Sequence, residues 1–128
     1  MNRAPVETAT HEPFPNYYVY AYCDPWPSKQ RMLEILRAHG LEVEERHYAV
    51  QAWIDGRAFA FEVYGGDLGD PEAEADDHDL ARLTDHARRI SAALAAAGVR
   101  HRLEILEKLD DTLMACVHHG MPRSPDEG

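Results

Sequence analysis

The hydrophobic period of this chain switches repeatedly between two residues and 3.6, and glycines, prolines or an Asp-Gly pair punctuate the switches. Such a chain must fold as strands and helices stacked in layers, because each element has one face to bury. Tyr17–Asp24 (YYVYAYCD) alternates with period two, setting Tyr17, Val19, Ala21 and Cys23 against Tyr18, Tyr20 and Tyr22. Pro25 and Pro27 end this strand, and Ser28 suits the N-cap of a helix over 28–39 with Met32, Ile35, Leu36 and His39 on one face. Gly40 stands where a left-handed residue closes a helix, and Leu41 can pack back on the last turn. A strand is predicted over 41–54, with a bulge where its alternation changes phase at Arg46 and His47. Asp55-Gly56 is a two-residue hairpin signal, and the return strand over 57–64 sets Phe59, Phe61 and Val63 against Ala58, Ala60, Glu62 and Tyr64.

A glycine-rich acidic connection follows (GGDLGDPEAEA), and then the clearest helix, with Leu80, Leu83, Ala87, Ile90, Leu94 and Ala97 in one stripe. Gly98-Val99 repeats the Gly40-Leu41 ending. Strands over 99–107 and 112–118, turning at Asp110-Asp111, complete the pattern. The order β-α-β-β-α-β plus one C-terminal strand predicts an α+β, ferredoxin-like domain: an antiparallel sheet with two helices on one face. A length of 128 residues fits one domain, here expected over 16–119, with disordered tails at 1–15 and 120–128.

Charge narrows the partners. The formal net charge of −10 argues against nucleic acid and polybasic membrane anchoring, and no apolar run is long enough to span a bilayer. Two cysteines, Cys23 and Cys116, are too few for a secreted disulfide framework, so a cytoplasmic location is expected. Arginine supplies 11 of the 13 basic residues beside 18 alanines, the coding bias of a GC-rich bacterial genome.

Four constellations carry possible chemistry. With helices on one face only, Tyr18, Tyr20 and Tyr22 are expected on the open face, joined there by Tyr64 and Glu62 from a neighbouring strand. Four aromatics on an open sheet would make a patch that is covered within the chain, used as a dimer or partner interface, or shaped into a ligand pocket. The eight histidines suggest metal ligands, with His78 and Asp85 or Asp79 and His86 at helix spacing. However, at 100° per residue His78, Arg82, Asp85 and Arg89 lie opposite the leucine stripe, where Asp85 pairs with Arg89. His118 and His119 point to opposite sides of a strand, His47 and His101 are scattered, and no H-E-x-x-H or C-x-x-C occurs, so no metal or cofactor is expected.

Asp24 ends the first strand, with Trp26 beside it in Pro25-Trp26-Pro27. YVYAYCD, the helix and the strand over 41–54 resemble the CRISPR adaptation proteins of ferredoxin-like fold, which carry an acidic residue at this point of strand one. The resemblance rests on that one motif residue. It departs in the long second helix, the acidic connection and the lack of a basic surface, which count against DNA binding. Asp24 also suits a strand terminator capping the proline-rich turn. There is no G-x-S-x-G, P-loop or Rossmann fingerprint, and neither Ser28 nor Ser91 has a triad pattern.

The fourth constellation is the segment 67–79, which holds Asp67, Asp70, Glu72, Glu74, Asp76, Asp77 and Asp79 with no Lys or Arg. Asp70 or Asp76 can cap the following helix and acids suit its first turn, but seven carboxylates exceed what capping needs. The surplus is expected in a solvated loop or facing a basic partner. Together these features predict a non-enzymatic binding protein, like an immunity protein or antitoxin, with the acids steering a basic partner and the tyrosines and Trp26 anchoring it. The alternative is a dimeric α/β-barrel enzyme of monooxygenase or cyclase type, with two sheets enclosing a pocket lined by the tyrosines, Trp53 and His47 or His101.

Overall fold

The computed structural model describes residues 16–62 and 72–121; Tyr64, Asp67 and Asp70 therefore lie outside the described residues, as do 1–15 and 122–128. The elements are β1 (Tyr17–Asp24), α1 (Lys29–Ala38), β2 (Glu42–Glu45), β3 (Ala49–Ile54), β4 (Arg57–Glu62), β5 (Glu72–Glu74), β6 (Asp76–Asp77), α2 (Leu80–Ala96), β7 (Arg100–Glu107) and β8 (Leu113–His119). They make an α+β fold with two antiparallel four-stranded sheets, ordered β6-β1-β7-β8 and β2-β3-β4-β5. The sheets meet along 72–77, whose first half pairs with β4 and whose second half pairs with β1. Between the halves, the Val19 N–H donates to the Ala75 carbonyl at 3.0 Å.

Both helices end at the glycines their sequence promises, and the first also begins at its expected cap. Ser28 caps α1 by accepting from the Arg31 N–H. At its end Gly40 takes φ +82°, the Leu41 N–H reaches the Leu36 carbonyl at 3.1 Å and the Gly40 N–H reaches Arg37 at 2.9 Å. The pattern repeats at α2, where Gly98 takes φ +78° and the Val99 N–H reaches Leu94 at 2.9 Å. These hydrogen bonds turn the chain sharply into the next strand while satisfying the last helical carbonyls.

One core joins both helices to one face of the strands. Met32, Leu33, Leu36, Leu83, Ile90 and Leu94 pack with Val19, Ala21, Val50, Phe59, Phe61, Leu103 and Ile105. Because side chains alternate along strands, Tyr18, Tyr20 and Tyr22 fall on the opposite, helix-free face, as expected.

Three expectations need correction. The segment 41–54 is not one bulged strand: β2 and β3 form a tight antiparallel hairpin, with Glu45 paired to Val50 and the Arg46 N–H on the Ala49 carbonyl. A phase change in alternation marks a reversal as well as a bulge. The segment 72–77 is strand rather than solvated loop, and β1 takes β6 and β7 as neighbours instead of the return strand β4. Ala73 and Asp77 are buried, so this strand also alternates, with acids where polar residues are usual. Finally, α2 is capped by Asp79, which accepts from the Arg82 N–H at 3.1 Å, and not by Asp70 or Asp76.

Candidate functional site on the helix-free face

The helix-free face is organised by β1. Its register sets Tyr18 beside Leu106, Tyr20 beside Glu104 and Tyr22 beside Arg102 on β7. Tyr20 and Tyr22 stack with centroids 4.9 Å apart and planes inclined by 19°. The Arg102 guanidinium lies 3.9 Å from the Tyr22 centroid and donates through Nε to Glu104 at 3.0 Å. Arg102 and Glu104 are both buried in this stack, which gives each charge a partner and an aromatic wall. Tyr20 stays half exposed, whereas the Tyr18 hydroxyl donates to Asp111 at 2.7 Å. That hydrogen bond to a carboxylate, helped by burial, pushes the Tyr18 phenol up to about 12.

Beside the tyrosines the surface sinks into a groove of about 640 Å³. Its floor is shallow in side-chain volume because β4 contributes Ala58 and Ala60 to it, between Tyr18 and Tyr20 on one side and Gln51 on the other. Glu74 and Asp76 of the acidic strand line the groove together with Lys108. Lys108 Nζ pairs with Asp76 at 3.2 Å, and both side chains are well exposed to solvent. An aromatic wall, a small-residue floor and two carboxylates suit a cation-bearing side chain better than an anion.

The other acids of 67–79 that can be placed serve the fold. Asp77 is fully buried, held by Arg82 through two contacts of 2.6 Å and by Arg57 at 3.4 Å, and accepts from the Asp79 N–H at 3.1 Å. Burial alone would raise its pKa, but the Arg82 and Asp79 hydrogen bonds and the two arginine charges outweigh it and hold the carboxyl at about 2. Asp77 thus ties the end of β6 to the start of α2 and cannot face a partner. Trp26 also stands apart from the tyrosines: it packs against the core, with its ring 6.4 Å from Phe61 on the helix-covered side. Asp24 forms an exposed ion pair with Arg100 across the β1–β7 ladder at 3.3 Å.

Two further clusters join residues far apart in the sequence. His101 is buried beneath α2, with Nδ1 donating to the Val99 carbonyl at 2.8 Å and Nε2 accepting from the Ser91 hydroxyl at 2.6 Å. Burial, with the nearby His119 and His118, lowers the His101 pKa and keeps the ring neutral. Ser91 is itself buried in the helix-covered layer, so the pair fastens α2 to β7 rather than presenting a nucleophile. At the other end of α2, His86 Nε2 meets Asp55 of the β3–β4 turn at 3.0 Å. Ligand atoms of Asp55, Asp85 and His86 lie within 4.8 Å of one another, a possible cation site. Arg89 already stands 3.1 Å from Asp85 and 3.9 Å from Asp55, so the carboxylates have a resident counter-charge. The Cys23 thiol is pushed up to about 12 by burial and is inert at neutral pH.

No family model matches this chain, and comparisons with curated proteins and with solved structures return no match. Among the described residues no helix is long and apolar enough to cross a membrane.

Proposed function

We propose that this chain is a non-enzymatic binding protein that grips a basic protein partner through the helix-free face of its sheet, in the manner of an immunity protein or antitoxin. The observation that carries this reading is the tyrosine stripe of β1 running alongside the carboxylates of Glu74 and Asp76, all lining one groove. Exposed aromatics supply anchors that desolvate on contact, and acids at their edge steer and register a cationic surface. The acids lie on a strand, where the backbone ladder holds Glu74 and Asp76 in place before a partner arrives.

The same register supports a ferredoxin-like reading with its strands reassigned. Taking 57–62 as the second strand of the motif and 72–77 as the third gives the spatial order β7, β1, 72–77, β4, with every neighbour antiparallel. The β2–β3 hairpin and β8 then extend the two edges. Such a sheet leaves one face free for an interface.

The test is affinity capture from the native host with the wild-type chain, a Tyr20→Ala variant and a Glu74→Arg variant. A protein retained by the wild type, released by rising salt and lost with both variants is the expected result. Equal retention by all three would place the interface elsewhere. A second reading, the dimeric barrel enzyme, draws on the groove's volume, which is in the range of small-molecule sites at roughly 300–1,000 Å³. A monomeric mass in solution removes that reading.

A further inference from the structure

We infer that the groove beside Tyr20 is an arginine-reading pocket, and that Lys108 holds the place of the partner's cation until the partner binds. The inference rests on the partner-binding reading above and names the side chain that this face recognises. The molecule itself shows how this face treats a guanidinium. The Arg102 guanidinium sits over the Tyr22 ring, 3.9 Å from its centroid, and donates to Glu104 at 3.0 Å, so one aromatic and one carboxylate together receive it. Tyr20 continues that stack on Tyr22, is half exposed, and lines the groove in which Glu74 and Asp76 stand. The groove thus repeats the ingredients of the Arg102 seat, a tyrosine ring with carboxylates next to it, at a position open to solvent.

Arginine fits these ingredients better than lysine. Its guanidinium is planar, stacks on aromatic rings and can meet a carboxylate through two parallel hydrogen bonds, whereas an ammonium is a compact, strongly hydrated point charge. The alanine floor of Ala58 and Ala60 leaves room for the aliphatic stem. Lys108 pairs with Asp76 at 3.2 Å, with both side chains exposed. An exposed pair of this kind is weak, so an incoming bidentate group displaces it readily.

The test uses two short peptides, Gly-Ser-Arg-Ser-Gly and Gly-Ser-Lys-Ser-Gly, titrated into the full chain and followed by NMR shifts. The arginine peptide is expected to bind several-fold more tightly than the lysine peptide, with the largest shifts at Tyr20, Glu74 and Asp76. The double variant Glu74→Gln, Asp76→Asn should lose roughly tenfold of that affinity, and Lys108→Met should gain several-fold by removing the internal competitor. Equal binding of the two peptides, or affinity unchanged in the double variant, overturns the inference, as does weaker binding by Lys108→Met. If the arginine peptide fails to bind while Tyr20→Ala still abolishes capture of the native partner, the pocket assignment falls and the partner-binding reading stands. If the peptide binds as expected but capture ignores Tyr20, the reverse holds.

Discussion

The two faces of the sheet are built from the same strands and differ in what an inserted charge must do there. Among the described residues of the helix-covered face, the buried Asp77 carboxylate sits between Arg82 and Arg57, and a neutral His101 is held by Ser91 and a backbone carbonyl. On the helix-free face, Glu74, Asp76 and Lys108 stand around a groove, and a half-exposed Tyr20 has ring surface to spare. The helix-covered face uses its polar groups to hold the fold, whereas the helix-free face, beside its own buried Arg102–Glu104 pair, carries polar groups exposed to solvent around the groove. Single residues can break that contrast.

The largest effect is expected from Phe61→Ala, which empties a fully buried core position and should cost about 3–5 kcal/mol in denaturant unfolding. Its counterpart, Tyr20→Ala, should cost under about 1 kcal/mol, because half of that side chain already meets water. Similar losses for both would erase the distinction between the faces. Next comes Asp77→Asn, which removes the buried carboxylate on which the half-buried Arg82 and Arg57 converge and should cost about 1–3 kcal/mol. In the wild type, the folded carboxyl titrates at about 2 against an ordinary value of 3.8, so its contribution is present above pH 4 and drains away as pH falls through that window. The Asn variant should lack this acid-dependent loss when unfolding is followed between those pH values.

Ser91→Ala is expected to act more gently, at about 1–2 kcal/mol, by leaving the His101 Nε2 without its donor. Because burial lowers the His101 pKa, the folded state favours the neutral ring. Its stabilisation is complete above the ordinary imidazole value of 6.5 and is lost as pH falls below it. Urea midpoints at mildly acidic and neutral pH should show that fall in the wild type and a smaller one in His101→Gln, which cannot protonate.

Much of the local structure was legible in the residues. Ser28, Gly40, Gly98 and Asp55-Gly56 mark helix ends and a hairpin because caps and turns are satisfied within a few residues of themselves. The tyrosine stripe could be assigned to the open face because Val19 and Ala21 suit burial under helices. The reversal at Arg46–Tyr48 was hidden, since a phase slip reads alike for a bulge and a tight turn. The 72–77 strand was hidden more deeply: its acids resemble a loop, and only Ala73 and Ala75 at alternate positions signalled an inward face. Trp26 is close to the tyrosines in sequence, yet its ring packs against the core on the other side of the sheet.

By itself, then, the sequence determined where helices begin and end, which strand residues share a face, and that the acids concentrate in one segment. Those properties depend on neighbours a few residues apart, so periodicity and capping reveal them. Only the tertiary structure decided that 72–77 lies between β1 and β4, that Asp77 is an internal strut, and that Glu74 and Asp76 stand over an alanine floor beside Tyr20. Strand neighbours are chosen by the total burial and hydrogen bonding of the whole sheet, over separations of about 50–60 residues, and no local pattern encodes that choice.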